Sequence, residues 1–344
     1  MRRGKLLGIY IEICSMCNQN CIYCYNEKVI GEKVYLSYED VGKIIDEVSS
    51  LGIRMITLSG GEPLCHPDFQ KIVKHIYDKN CTAFIITNAT LINKDMAEFL
   101  AEMNLGLQIT LDGGTSQIHD QSRGINTFDR QRLALELLHK SNYKGAVNVR
   151  TNIWKGNLSY DNLESIVEFC HKYKIGMISF SLAHETEKFS DNIDDYSSCE
   201  QIVEWVNILK GKYSNMNISF KEGELDFGCP FVSDEPTINC GLRITPYGDV
   251  FPCQLFDDPL FKIGNAKVQS IEEILNGKLL SDFLDMMRIR TTFIKECAEC
   301  VYQGICYGGC PALTYIQNSN ILSVDKKCRE RKAILQTGVL NAVK

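Results

Sequence analysis

Cys17, Cys21 and Cys24 form a CxxxCxxC run near the start of the chain. Three thiolates in one short loop can hold three irons of a cubane cluster and leave the fourth iron without a protein ligand, and an open iron can bind a substrate or cofactor directly. A three-thiolate zinc site, or a set of buried thiols, is the competing reading. The run follows an apolar stretch that reads as a strand, which puts the loop at a strand's carboxyl end, where barrel enzymes place their chemistry. After a second such stretch comes Ser59-Gly60-Gly61-Glu62-Pro63. Its glycines free a strand end to bring backbone groups close to a ligand, and Glu62 can accept a hydrogen bond from an ammonium.

A second array lies downstream. Cys240, Gly248 and Cys253 read as CxxxxxxxGxxxxC, Cys297, Cys300, Cys306 and Cys310 as CxxCxxxxxCxxxC, and Cys328 closes the set. With Cys229 these are eight thiolates, enough for two four-cysteine sites and so for two further 4Fe-4S clusters. Paired CxxC units also build zinc ribbons, and the spacing alone does not separate the metals. Sixteen cysteines in all leave Cys14, Cys65, Cys81, Cys170 and Cys199 over. Cys81 and Cys170 read as small core residues and Cys14 as filler at a strand end. Cys65, beside the glycine-rich loop, is a candidate hydrogen-atom donor or substrate-thiol partner, with packing the alternative. His184 and Glu185, just past the sixth strand, are candidates for substrate contact.

Elements that must position these groups can be read from periodicity. Strands are expected at residues 7–13, 55–58, 83–87, 106–111, 146–152 and 176–181, and helices at 38–49, 68–78, 94–103, 129–139, 162–173 and 199–213. Ser37 and Asn93 stand where helix caps belong. Six βα units make an open, three-quarter barrel rather than a closed one. After Glu224 the alternation stops and cysteines crowd in, which divides the chain into 1–224 and 225–344, with helices expected near 270–275 and 279–287 in the second part.

Composition excludes several classes. At 44% hydrophobic and 23% charged, with 8 Pro and 25 Gly, the 344 residues are those of a globular chain, neither disordered nor low-complexity. Lys and Arg number 37 against 43 Asp and Glu, a formal charge of -6, which argues against a nucleic-acid surface built on phosphate neutralisation. No stretch reads as a membrane span or a secretory signal. A cytoplasmic setting, where thiols stay reduced, makes the cysteines ligands, nucleophiles or core filler rather than disulfides.

CxxxCxxC together with Gly60-Gly61-Glu62-Pro63 resembles the radical S-adenosylmethionine (radical SAM) superfamily. The resemblance implies a 4Fe-4S cluster on Cys17, Cys21 and Cys24 whose fourth iron chelates SAM, reductive cleavage of SAM to a 5'-deoxyadenosyl radical, and abstraction of a substrate hydrogen. It places Tyr23 by the adenine and makes Glu62 or the adjoining backbone the contact for the SAM amino group. Thr87-Asn88-Ala89-Thr90-Leu91 resembles the family's third-strand TNGTLL stretch, with Ala89 where Gly is usual. Thr110-Leu111-Asp112-Gly113, followed by His119-Asp120 and Arg123-Gly124, resembles its fourth-strand stretch, whose hydroxyl and carboxylate face the SAM ribose and carboxylate. For Asp112 a turn residue before Gly113 is the alternative. Arg150 and Asn152 end the fifth strand on the same rim and are candidates for touching SAM.

The downstream array resembles the SPASM extension of the same superfamily, so the implied architecture is α/β, a partial (β/α)6 TIM-like barrel followed by a small cluster-binding domain. By resemblance, Cys229, Cys240, Cys253 and Cys310 hold an inner auxiliary 4Fe-4S cluster, and Cys297, Cys300, Cys306 and Cys328 an outer one. The implied function is an oxidoreductase acting on a peptide or protein, a maturase that leaves an oxidised or crosslinked residue, with a flavodoxin or ferredoxin-type electron donor. About six residues precede the first strand, so leader binding, if needed, is expected to fall to a separate leader-peptide-binding protein or to the barrel itself. A small-molecule dehydrogenase of the same superfamily is the alternative. A sulfatase-maturing enzyme is disfavoured, because Gln254 follows Cys253 where those relatives carry Asp. From another class, a non-catalytic iron-sulfur or zinc protein is the remaining competitor.

Overall fold

The computed structural model describes residues 8–24, 26, 33–183, 186, 189, 196–220, 242–324, 326–329, 331, 332, 335 and 336. Strands and helices alternate as β1 (Gly8–Cys14), α1 (Tyr38–Ser50), β2 (Met55–Gly60), α2 (Phe69–Asp78), β3 (Thr82–Thr87), α3 (Lys94–Met103), β4 (Gly106–Thr110), α4 (Ser116–Arg123), α5 (Thr127–Lys140), β5 (Val147–Ile153), α6 (Tyr160–Lys172), β6 (Met177–Leu182), α7 (Tyr196–Lys212) and β7 (Asn217–Phe220). Three short strands follow, β8 (Leu242–Ile244), β9 (Asp249–Phe251) and β10 (Gly264–Asn265). The helices α8 (Ile271–Asn276), α9 (Lys278–Phe293), α10 (Lys295–Ala298), α11 (Gln303–Cys306) and α12 (Pro311–Asn318) complete the chain's described elements.

Helices begin where the sequence supplies side-chain acceptors for orphan amides. Ser37 Oγ accepts from Asp40 N at 3.1 Å, Asn93 Oδ1 from Met96 N at 2.9 Å and Ser159 Oγ from Asn162 N at 3.2 Å. Their apolar faces cover one side of a single ten-stranded sheet in the order β10-β9-β8-β1-β2-β3-β4-β5-β6-β7. On the other side the strands carry polar groups. In β4 and β5, Leu107, Ile109, Val149 and Ile153 are buried, while Gln108, Thr110, Asn148, Arg150 and Asn152 alternate with them and are half-buried. In register, Thr110 lies beside Arg150, Arg150 beside Ser179 and Asn152 beside Ser181. Central parallel strands ordinarily read as continuous apolar runs. Alternation here marks the inner face as a polar-lined lumen, the place where a (β/α) barrel can receive a ligand.

Besides the short elements β9, β10 and α10 to α12, the structure adds three features to the expected element list. A seventh parallel strand, β7, follows α7; at four residues it is too short for periodicity to reveal. Two helices rather than one join β4 to β5, because α4, SQIHDQSR, has no apolar stripe and buries His119, Ser122 and Arg123 instead. The βα alternation does end before residue 242, yet β8 returns to pair in parallel with β1, matching Ile9 with Leu242 and Ile11 with Ile244. That junction is polar. Arg243 Nη2 donates to Glu12 Oε2 at 3.0 Å and to Asn26 Oδ1 at 3.3 Å, and Nη1 to the Phe256 carbonyl at 3.0 Å, with both ionic partners buried. Among the described residues no helix is long and apolar enough to cross a membrane.

Candidate functional site

Cys17, Cys21 and Cys24 sit on the loop leaving β1, half-buried. The loop is pinned from three sides. Ile22 N donates to the Ser122 carbonyl of α4 at 3.0 Å, Asn88 Nδ2 at the end of β3 donates to Asn18 Oδ1 at 2.9 Å, and Ser15 N donates to the Val34 carbonyl at 2.8 Å. Nitrogen donors also reach the sulfurs: Gln19 N to Cys17 Sγ at 3.4 Å and Arg123 Nη1 to Cys21 Sγ at 3.4 Å. Burial pushes the Cys17 thiol up to about 12, with Cys21 and Cys24 near enough to add to the effect. Metal binding there therefore releases a proton. Cys21 and Cys24 lie close enough to Cys17 to act on its thiol, so one short loop supplies the three sulfurs that a cubane cluster takes.

The glycine-rich loop packs directly on this one. Gly60 has φ +137°, and a Cβ there would lie 2.1 Å from the Cys14 carbonyl oxygen; at Gly61 it would lie 2.3 Å from the Met16 carbonyl oxygen. Gly61 N donates to the Cys14 carbonyl at 2.8 Å and Glu62 N to the Met16 carbonyl at 2.7 Å. The glycines thus let the end of β2 lie against the chain entering the cysteine loop. Glu62 is 1% exposed; Oε1 accepts from Leu64 N at 3.1 Å and Thr87 Oγ1 at 2.7 Å, and Oε2 from Asn88 N at 2.8 Å. Burial raises its carboxyl to about 7 against the pull of those donors. With both oxygens engaged by β3 and its own turn, Glu62 works as a strut, and Pro63 opens that turn, Pro63–Cys65. Gly61→Ala is expected to lower the urea unfolding stability of the metal-free protein by about 2–3 kcal/mol, since backbone must shift to admit the methyl. Equal midpoints for the two proteins would show that the close approach is not needed.

Asp112, just past β4, is fully buried and joins four segments. Its Oδ2 accepts from Arg123 Nε at 2.5 Å, from Ser122 Oγ at 3.1 Å and from the Tyr23 hydroxyl; Oδ1 accepts from Asn152 N of β5 at 2.9 Å. Burial opposes ionisation, yet the Arg123 guanidinium holds the carboxyl below its ordinary value. His119 Nδ1 accepts from Asp112 N at 3.1 Å, and burial lowers this imidazole to about 4, so it is neutral with its proton on Nε2. Tyr23 lies with its ring 5.6 Å from that of Phe189 and 5.0 Å from the Arg123 guanidinium. Thr110, Arg150 and Asn152 occupy the lumen face of β4 and β5.

The outer cysteines also come together. Cys297, Cys300, Cys306 and Cys328 line one pocket with Arg331 and Lys332. Burial raises the Cys297 thiol to about 11, with Cys328 adding and Arg290 opposing. Arg331 Nε donates to Cys306 Sγ at 3.3 Å. Fully buried Arg290 of α9 donates to the carbonyls of Ile321 (2.7 Å), Gly308 (3.2 Å) and Ser323 (3.1 Å), tying the pocket's loops together. Cys253 and Cys310 are half-buried against the core. Cys229, Cys240, His184 and Glu185 lie outside the described residues.

Residues 11–170 match the family described as the radical SAM superfamily, and residues 237–301 match SPASM, an iron-sulfur cluster-binding domain. The chain belongs to the radical SAM superfamily and carries a SPASM domain. It is 25% identical to the AdoMet-dependent heme synthase of Methanosarcina barkeri over 92% of this chain and 94% of that one. It is 27% identical to the antilisterial bacteriocin subtilosin biosynthesis protein AlbA of Bacillus subtilis, over 87% of this chain and 66% of AlbA. Streptococcus suis SuiB bound to S-adenosylmethionine shares the fold at a TM-score of 0.77 and 21% identity, covering 94% of this chain and 76% of SuiB; SuiB is also solved with its precursor peptide SuiA.

SAM and 4Fe-4S clusters are the cofactors of this radical SAM/SPASM protein, and the thiol arrangement of both described sites fits the clusters. Of the spare cysteines, Cys81 and Cys170 are buried in the core and Cys199 packs against it. Cys14 is fully buried and its thiol donates to the Glu62 carbonyl at 3.2 Å. Cys65 is half-buried in the turn after Glu62, its thiol raised by burial and then by that carboxylate. Sequence reasoning missed the nitrogen donors to sulfur. Arg123 stands within a quoted motif, but nothing in the spacing says that it reaches Cys21 across 102 residues, and Arg290 and Arg331 carry no motif signal.

Proposed function

We propose that this protein is a peptide-modifying radical SAM oxidoreductase, a maturase that abstracts hydrogen from a peptide and leaves an oxidised or crosslinked residue. The observation that carries this reading is the pairing of a three-cysteine loop at the rim of a polar-lined barrel with a separate four-cysteine pocket. When bound at the first, cluster and SAM supply the 5'-deoxyadenosyl radical; a cluster at the second can take up the electron that oxidation of a substrate radical gives off. Cys17, Cys21 and Cys24 hold the first cluster. The backbone of Gly60, Gly61, Glu62 and Pro63, the Thr110 hydroxyl, Arg150 and Asn152 bind SAM, with Tyr23 beside them and the carboxylates of Glu62 and Asp112 fixing the loops. Likeness to AlbA and SuiB supports a peptide substrate.

The test is anaerobic incubation of the reconstituted protein with SAM, dithionite and any short Cys-rich or aromatic-rich peptide encoded beside its gene. Formation of 5'-deoxyadenosine, deuterium transfer into it from labelled peptide, and loss of two hydrogens from the peptide support the reading. SAM cleavage that draws deuterium only from a small molecule overturns the peptide in favour of the second reading, a small-molecule dehydrogenase. That reading is favoured by the match along 94% of the heme synthase.

A further inference from the structure

Arg123 touches both the loop that carries Cys21 and the buried acid behind it, Asp112. Its side chain is 10% exposed, Nε is held by Asp112 at 2.5 Å, and Nη1 reaches Cys21 Sγ at 3.4 Å. A guanidinium is a planar fork, so fixing Nε fixes where Nη1 points. Three further contacts of Asp112, to Tyr23, Ser122 and Asn152 N, remove the freedom of its carboxylate to swing. Held this way, the donor is pre-set toward the sulfur rather than sharing its time with solvent.

We propose that Arg123 is a positioning residue that tunes the redox poise of the cluster on Cys17, Cys21 and Cys24, by directing a charge-assisted N–H···S hydrogen bond at Cys21. The proposal rests on the assignment of that triad to a 4Fe-4S cluster. Reduction adds one electron, taken from a low-potential one-electron donor, and no bond forms or breaks in that step. The added negative charge spreads onto the ligand sulfurs. A buried positive charge and donor at one sulfur therefore stabilise the reduced state more than the oxidised state and raise the potential. Only the difference between the bond's strength in the two oxidation states counts, and roughly a tenfold change in the reduction equilibrium is expected, which for a one-electron couple is about 59 mV. The same contact ties the loop's middle cysteine to the β4 end, whereas Cys17 is reached by Gln19 N and, at 3.9 Å, by Asn88 Nδ2.

The experiment is an EPR-monitored redox titration of the reconstituted full-length protein, dithionite as reductant, for wild type, Arg123→Gln and Arg123→Lys, with iron content and the SAM-induced change of the EPR signal recorded for each. Arg123→Gln is expected to lower the midpoint by about 59 mV. Arg123→Lys keeps the charge beside Asp112 but cannot fork to Cys21, and is expected to move the midpoint the same way by less. Its retained ion pair guards against a variant that fails only by misfolding. Midpoints unchanged in both variants, with full iron content and a SAM-responsive signal, overturn the tuning role while leaving the triad assignment intact. A wild-type protein with no SAM-responsive cluster signal overturns the triad assignment, and this proposal with it.

Discussion

Replacing Cys21 by alanine is expected to remove about four of roughly twelve irons per chain and to abolish reductive SAM cleavage, while the auxiliary irons stay. The reason is geometric. Cys17, Cys21 and Cys24 sit on one loop, whereas Cys14 is buried in the strand end with its thiol donating to the Glu62 carbonyl, and Cys65 belongs to the turn after Glu62, its sulfur accepting from the Asn18 backbone. The four outer cysteines line a separate pocket with their own cation, Arg331, so they are expected to assemble independently. Iron and sulfide counts with an anaerobic 5'-deoxyadenosine assay check the result. Retention of SAM cleavage, or loss of all iron together, would contradict the two-site arrangement.

Asp112→Ala is expected to be the most destabilising change on the barrel rim, by about 3–5 kcal/mol, because it strands Arg123 as a buried charge and takes the acceptor from the Asn152 amide. Against a total stability of about 5–15 kcal/mol this is a large fraction. Urea unfolding of the metal-free proteins measures it. The pH dependence has a definite sign. Folding lowers the Asp112 pKa below its ordinary 3.8, so its stabilisation is fully present above that value and is lost as pH falls through the lower, folded one. The gap between wild type and variant is therefore expected to be constant from neutral pH down to about 5 and to narrow in stronger acid. A difference under 1 kcal/mol at pH 7 would show that Tyr23, Ser122 and Arg123 find other partners.

Both expectations depend on contacts of unequal legibility. The barrel was readable because its helices carry local signals, caps at Ser37 and Asn93 and apolar stripes between them, and α3 falls on the residues that periodicity marks, Lys94–Met103. Helix α4 was not, since what it buries is a histidine and an arginine whose shared partner, Asp112, meets them only in the folded chain. Ala89 shows the limit well. It holds φ +61°, a left-handed conformation that explains why glycine is usual in the motif it resembles, yet nothing local to Thr87-Asn88-Ala89 announces the constraint.

For Glu62 and Asp112 the sequence marks chemically capable carboxylates, and the tertiary structure decides their company. Both are buried, one at 1% and the other at 0% exposure, and each spends its oxygens on neighbouring strands and loops. By itself the sequence determined the cysteine ligand spacing and the alternation that builds a barrel, because both are properties of neighbouring residues on one chain. The three-dimensional fold alone decided which cation meets which sulfur and which acid is left to hold the scaffold. Those pairings join residues far apart in sequence, and hydrogen-bond geometry, which sets them to within a few tenths of an ångström, exists only once the loops have packed.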